Sequence, residues 1–431
     1  MSKIIERHVH DQIYKHLSEH NLLYEYQSGF RPQHSCEAAL LQMIDTWLKA
    51  IDDNQLVGTI FLDLQKAFDV VDHSILVKKL GLYGLSENSV KWFSSYLSNR
   101  KQKVSLNGCV SDFKEITAGV PQGSILGPLL FNIFINDMLM HDSSVDNKRS
   151  LYADDSSFYT VGNTVAEIEM NLNQDLKKVT DWCTKNRMFI NKAKTKSMLL
   201  CTRQKRMNLD STLKIKIDND YLENSKSEKV LGVTIDESLC WTEQVDKTCK
   251  KIIFNLHTLK EIKKNLPVKE RLLFYNCYIL PHLNYCCSVW GNCPANQQNR
   301  ITKLQKRAAR LILDADLSIP SSDLFKKLKW LPFPKYVEYQ QSVTVYKSLN
   351  ELNPHYMNKL FSYTQENHSY GTRNATSSLL ALPKCNKSIG QKCISYSGPK
   401  VWNGLTEAIR CAPSLPSFKS RYLKAMYCTT L

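Results

Sequence analysis

Three carboxylates set in two short apolar stretches restrict this chain more than anything else in it. Asp63 closes Val57-Gly-Thr-Ile-Phe-Leu62, a run apolar enough for a buried strand. Asp154 and Asp155 stand between Leu151-Tyr152 and Phe158-Tyr159, a pattern that predicts a hairpin with the acids at its tip. Adjacent unpaired carboxylates at ~4 Å repel by about 4 kcal/mol at an effective dielectric of about 20. A divalent cation removes that penalty, and a pair of cations can clamp both the attacking and the leaving oxygen of a phosphoryl displacement. Asp is also an ordinary turn residue, so the acids alone do not decide between a turn and a metal site.

At 431 residues the chain exceeds the ~250–300 at which a single core stops growing, so two or three domains are expected. Its 43% hydrophobic content excludes a disordered chain. The formal charge of +16 attracts polyanions, either nucleic acid or an anionic membrane. The membrane reading fails on length. The longest apolar stretch, Ile125 to Met138, is broken by Gly127, Pro128, Asn132, Asn136 and Asp137, where a spanning helix needs ~20 residues. The charged N-terminus is unlike a secretory signal, so an intracellular, reducing compartment is expected. None of the 14 cysteines forms a Cys-x-x-Cys pair. The cluster His282, Cys286, Cys287 and Cys293 lies among Tyr, Leu and Trp, where cysteine serves as a small hydrophobe.

Periodicity predicts a helix within residues 3–26 on Ile4, Ile5, Val9, Ile13 and Leu17, and a second from Cys36 to Ile51. A strand at 57–63 follows, then a helix through Ile75–Leu80 and a polar hairpin at 101–118. A buried helix is expected from Leu129 to Met140, an amphipathic helix from Val165 to Asn186, and strands at Lys196–Leu200 and Lys229–Asp236. This order fits a split βαβ sheet that places Asp63 beside the Asp154–Asp155 hairpin. From Trp241 the pattern turns helical. In 301–312, Ile301, Leu304, Ala308, Leu311 and Ile312 share one side, and Lys303, Lys306, Arg307 and Arg310 share the other. Four cations on an acid-free face can follow a phosphate backbone. Residues 316–431 give no clear pattern.

Joining a 3′-hydroxyl to the α-phosphate of a nucleoside triphosphate needs one metal to lower the hydroxyl pKa and another to hold the leaving pyrophosphate. Asp63 and Asp154 suit shared ligands, with Asp155 nearer the hydroxyl-side metal, and oxygen ligation suits Mg²⁺. Phe68, on the turn into the next helix, can fill the space of a ribose 2′-hydroxyl. In Pro121-Gln-Gly-Ser124, Gly123 lets backbone approach a ligand and Gln122 can bond the nucleotide or its template base. Arg31 has no acidic neighbour in its loop and so can take a phosphate. Lys194 can neutralise a leaving pyrophosphate.

The stretches Gln27-Ser-Gly-Phe-Arg31, Phe61-Leu-Asp-Leu-Gln-Lys-Ala-Phe-Asp69, Ala118-Gly-Val-Pro-Gln-Gly-Ser-Ile-Leu-Gly-Pro128, Tyr152-Ala-Asp-Asp155, Asn191 to Thr195 and Leu231-Gly-Val-Thr-Ile-Asp236 stand in an order that resembles the reverse transcriptases of non-LTR retrotransposons, the LINE-type and jockey-like elements. The resemblance runs from residue 1 to about 315. It implies an α+β right-hand polymerase: a fingers remnant at 1–55, a ferredoxin-like palm at 56–238, a helical thumb at 239–315, and a C-terminal region of unknown role at 316–431. It implies Asp63, Asp154, Asp155 and the Leu64 carbonyl as ligands of two Mg²⁺ ions, with Mn²⁺ as a substitute. It makes Phe68 a sugar gate, Arg31, Gln122, Gly123 and Lys194 nucleotide contacts, and Leu231 and Gly232 a primer grip. The thumb, with Lys303, Lys306, Arg307 and Arg310, would hold the duplex. The implied partners are an RNA template, a DNA primer and deoxynucleoside triphosphates, in a ribonucleoprotein of cytoplasm and nucleus. The chain begins inside the family's first fingers motif and carries no endonuclease, so an N-terminally truncated copy is expected, with nicking supplied elsewhere. A catalytically inactive remnant that binds nucleic acid is the alternative. An RNA-directed RNA polymerase is a weaker one, opposed by Phe68.

Overall fold

Strand β1 (Leu56–Leu62) is apolar on both faces and buried along nearly its whole length, which suits a central strand. It forms a five-stranded sheet with β2 (Asn147–Tyr152), β3 (Asp155–Gly162), β4 (Lys196–Leu200) and β5 (Glu223–Asn224), in the order β5-β4-β1-β3-β2. The helix Leu126–Ile135 lies between β1 and β2 in sequence, and Val165–Asn186 lies between β3 and β4. The connectivity is therefore β-α-β-β-α-β with core order 4-1-3-2, the ferredoxin-like palm expected from sequence. The short β5 adds to β4 in parallel. The computed structural model describes residues 2–138, 147–209, 212–367 and 378–429.

The helix Val165–Asn186 has the expected bounds and covers the sheet with Ile168, Leu172, Leu176 and Val179, one face at helical spacing. Thr164 caps it by accepting from the Glu167 N–H. The helix Leu126–Ile135 is buried on all sides and ends in a single 3₁₀ turn, Asn136–Met138; positions 139 and 140 of the expected helix lie outside the described residues. The polar hairpin is present as nested pairs, Arg100–Gln102 with Lys114–Ile116 and Ser105–Leu106 with Cys109–Val110.

Two sequence expectations need correction. The first helix is Ser2–Glu19, not a helix reaching into the twenties, because Asn21 adopts φ 52° and breaks it. Its Ile4 and Ile5 are exposed, while Ile13 and Leu17 are buried. The expected strand Lys229–Asp236 is two strands, β6 (Ser227–Val230) and β7 (Val233–Asp236), paired antiparallel around Leu231 and Gly232. Those two residues take φ 45° and 82°, the left-handed values of a tight primed turn. Phe68 lies within a run of turns ahead of the next helix, as expected.

The chain divides into two compact units that interleave along the sequence: Met1–His34, Leu56–Leu199 and Asp210–Ser225 in one, Ser35–Gln55, Leu200–Leu209 and Lys226–Leu431 in the other. The first holds the five-stranded sheet. The second is helical apart from the β6–β7 hairpin. In it the helix Thr242–Ile262 buries Val245, Cys249, Ile252, Leu256 and Leu259, the periodic set read from sequence. Cys286, Cys287 and Cys293 are buried there too. Residues 316–431 supply the helices Phe333–Leu349, Ile394–Asn403 and Leu415–Thr429, with Trp402 stacked on Phe418 at 5.8 Å. The helix Cys36–Asp52 belongs to this unit. Its Asp52 carboxylate accepts from the backbone N–H groups of Asn386, Lys387 and Gly390. Among the described residues no helix is long and apolar enough to cross a membrane.

Candidate active site

The β1–β3 ladder runs from Leu56 opposite Gly162 to Leu62 opposite Ser156. Asp63 follows Leu62 and Asp155 precedes Ser156, so the register brings the two acids to the same end of the ladder. Tyr152 pairs with Asp155 across the β2–β3 hairpin, so Ala153 and Asp154 form its tip. Three carboxylates separated by some 90 positions in sequence thus meet at one end of the sheet. Burial, followed by the charge of Asp63, raises the Asp154 pKa above its ordinary value. Asp155 is the more open residue, yet the protein around its carboxyl, then the charges of Asp154 and Asp63, raise its pKa as well. Burial and the neighbouring negative charge thus act on both carboxyls in the same direction. Among the described residues no three His, Cys, Asp or Glu side chains are gathered tightly enough to enclose an ion.

Backbone contacts fix Asp63. Its N–H donates to Thr195 Oγ1 at 3.2 Å, and its carbonyl accepts from the Asn191 N–H at 2.8 Å. The Gln65 N–H donates to the Phe189 carbonyl, which closes an antiparallel bridge between Leu64 and Ile190. Alternation along an extended backbone then turns the Leu64 carbonyl away from that bridge.

The hairpin tip is fixed by a residue to which the sequence reading gave no role. Gln27 is fully buried, and its Oε1 accepts from the N–H groups of both Gly29 and Ala153 at 2.9 Å. Its Nε2 reaches the Ala153 carbonyl at 3.4 Å. The Ser28 N–H donates to the Leu151 carbonyl, and the Leu151 N–H donates to that of Tyr26. Gly29 is required by close approach, since a Cβ there would lie 2.3 Å from the Ala153 nitrogen. Ala153 itself takes φ 58°, a strained turn value that these bonds hold in place. A buried amide in a loop otherwise marked by Arg31 was the available signal.

A cavity of about 520 Å³ opens beside the acids, lined by Asp63, Leu64, Phe68, Gln122, Asp154 and Lys194 together with Asp69 and Asn191. The first six are candidates on sequence grounds; Asp69 and Asn191 belong to the same motifs. The Phe68 ring stacks on buried Phe131 at 4.1 Å and meets the Phe30 edge at 6.1 Å. Gln122 Nε2 donates to Asp69 Oδ1 at 2.7 Å, so one end of its amide is already held. Gly123 takes φ 74° with open space where a Cβ would stand, and its carbonyl accepts from Lys3 Nζ. Lys192 pairs with Asp218 and Asp220, while exposed Lys194 faces the cavity. Arg31 is not among the lining residues; its Nη1 donates to the carbonyls of Tyr24 and Gln27.

The remaining sequence candidates belong to the helical unit. The Leu231 carbonyl accepts from the Tyr285 hydroxyl at 2.7 Å, and that ring packs against Gly232. On the helix Ala295–Leu313, Lys303, Lys306 and Arg307 are exposed and Ile301, Ala308 and Ile312 buried, as the amphipathic reading requires. Arg310 departs from that face. It is half-buried, and its Nη2 donates to the Ile319 carbonyl.

Residues 1–235 match the family model for reverse transcriptase (RNA-dependent DNA polymerase). Among curated proteins, the probable RNA-directed DNA polymerase from transposon BS of Drosophila melanogaster is 28% identical over 337 residues, covering 76% of this chain and 37% of that protein. The RNA-directed DNA polymerase from mobile element jockey of Drosophila funebris is also 28% identical, covering 76% of this chain and 36% of that protein. The chain spans little more than a third of the length of these relatives. Among solved structures, apo telomerase from Candida tropicalis aligns over 77% of this chain and 54% of its own, at 14% identity and a TM-score of 0.40.

Proposed function

The chain belongs to the reverse transcriptase (RNA-dependent DNA polymerase) family, and we propose that it acts as an RNA-directed DNA polymerase of a non-LTR retrotransposon, adding deoxynucleotides to a primer 3′-hydroxyl on an RNA template. The observation that carries this reading is the strand register that brings Asp63 to the end of the sheet at which Asp154 and Asp155 stand. Reverse transcriptases use divalent metals, and the donor set here fits them. Three carboxylates and a backbone carbonyl are hard oxygen ligands of the kind Mg²⁺ takes, and their mutual repulsion favours a cation between them. Asp63, Asp154, Asp155 and the Leu64 carbonyl would hold two Mg²⁺ ions, with Mn²⁺ as a substitute. When bound, the ions supply activation of the attacking hydroxyl and charge neutralisation at the leaving pyrophosphate.

The chain's own residues do the rest. Lys194 presents a positive charge at the cavity rim for the triphosphate. Phe68, stacked on Phe131, sets a floor that leaves little room for a 2′-hydroxyl. Gln122, tethered to Asp69, stands where its free amide oxygen can meet a base or sugar, and the bare backbone at Gly123 admits a nucleotide closely. Arg31 acts indirectly, by holding the loop that carries Gln27. Lys303, Lys306 and Arg307 offer phosphate contacts to the template–primer duplex, and the β6–β7 turn at Leu231–Gly232 offers the primer grip. An RNA template and a DNA primer would make the working form a ribonucleoprotein of cytoplasm and nucleus.

The test is primer extension by the full chain on an RNA template with deoxynucleotides and Mg²⁺. Wild type extends the primer, and Asp154→Asn loses extension by at least about a thousandfold while remaining folded. Equal inactivity of both proteins, with metal, template and primer present, overturns the reading.

A further inference from the structure

The helical unit contains a second polar cavity, of about 610 Å³, far along the chain from the acids and formed by residues between Asn292 and Met426. Its charged lining is Lys335, Lys392 and Lys400 against the single carboxylate of Glu338. Glu338 is taken by Lys335 at 2.8 Å, so the two remaining lysines stand without an acid among the lining residues. Gln341, another lining residue, is only 2% exposed, and its Nε2 has no hydrogen-bond partner. A buried amide donor left unbonded costs on the order of 1–3 kcal/mol unless a bound molecule supplies an acceptor. The Asn292 and Tyr396 side chains add polar and aromatic surface at the same opening.

We propose that this cavity is an anion site for a phosphate-bearing ligand. Lys392 and Lys400 would meet the phosphate oxygens, and the Gln341 amide would donate to an oxygen of the buried end. The unpaired lysines call for negative charge, and the orphaned donor calls for an acceptor. A phosphoryl oxygen answers both. The source is either a nucleotide unit of a nucleic-acid strand, with its base against Tyr396, or a free phosphate compound. Nothing in this site depends on the carboxylates of the sheet or on a divalent metal, so it stands whether or not the chain polymerises.

Amine acylation footprinting of the full wild-type chain, read by mass spectrometry, separates the outcomes. EDTA is kept present to silence metal-dependent binding. The probes are a short single-stranded oligouridylate and, separately, inorganic pyrophosphate. Protection of Lys392 and Lys400 by the oligonucleotide alone assigns the site to a strand; equal protection by pyrophosphate assigns it to a free phosphate compound. Gln341→Leu keeps every charge yet is expected to weaken the protecting ligand by about tenfold, which a merely cationic surface would not show. Reactivity of Lys392 and Lys400 unchanged by both probes, or protection confined to Lys303 and Lys306, overturns the proposal.

Discussion

The surroundings that make Asp154 costly to ionise are the same ones that would make it a metal ligand. Its pKa is raised, first by burial and then by the Asp63 charge, so the folded state holds the proton more tightly than the unfolded chain does. Stability therefore falls as pH rises through the window that starts near 3.8, and the penalty is fully present above the raised value. Asp154→Asn is expected to raise stability at neutral pH by on the order of 1 kcal/mol, discounted for solvent screening, and by nothing at a pH below that window. Thermal melts of both proteins across pH check the sign; a destabilised variant at pH 7 contradicts it. Gln27 acts through the tip without touching a substrate. Gln27→Ala leaves the N–H groups of Gly29 and Ala153 without their acceptor. It is expected to lower kcat about tenfold or more with the KM for deoxynucleotide nearly unchanged, because a displaced tip misplaces the reacting groups rather than the binding cavity. A purely structural role would instead lower the amount of folded enzyme and leave kcat per folded molecule intact.

At the scale of elements, local periodicity made some features legible and long-range contacts hid others. Val165–Asn186 and Lys196–Leu200 were readable to the residue because their burial repeats every 3.6 residues or runs unbroken. The turn at Leu231–Gly232 was missed because leucine at φ 45° is not a residue that announces a left-handed turn. Phe333–Leu349 showed no amphipathic stripe because it is buried almost all round, by Val337, Tyr339, Val343, Val345 and Tyr346. The Asp52 clamp joins segments more than 330 residues apart, which no pattern in the sequence exposes. Asp52→Ala removes the acceptor of three backbone donors at 2.7, 2.7 and 3.2 Å. It is expected to cost on the order of 3 kcal/mol, with Asp52→Asn costing less because an acceptor remains. Denaturant unfolding measures both, and equal stability of Asp52→Ala and wild type contradicts the clamp.

For the whole molecule, the candidate site was legible as a set of residues and not as a mechanism of assembly. Six of the residues singled out line one cavity, yet the buried Gln27 support and the Asp69 tether belong to the folded chain alone. The C-terminal residues from 316 onward, silent in sequence, complete the core of a unit that begins with the helix Cys36–Asp52. Convergence of Asp63 with Asp154 and Asp155 is likewise a property of the ferredoxin-like topology rather than of any one segment, since the 4-1-3-2 order is what makes β1 and β3 neighbours. Electron paramagnetic resonance of Mn²⁺ added to the full chain reads that convergence without requiring turnover. Wild type is expected to bind Mn²⁺ in competition with Mg²⁺, and Asp63→Asn and Asp154→Asn are each expected to lose that binding, although they lie on different strands. Mn²⁺ binding that survives either substitution unchanged would mean that the acids do not form one centre.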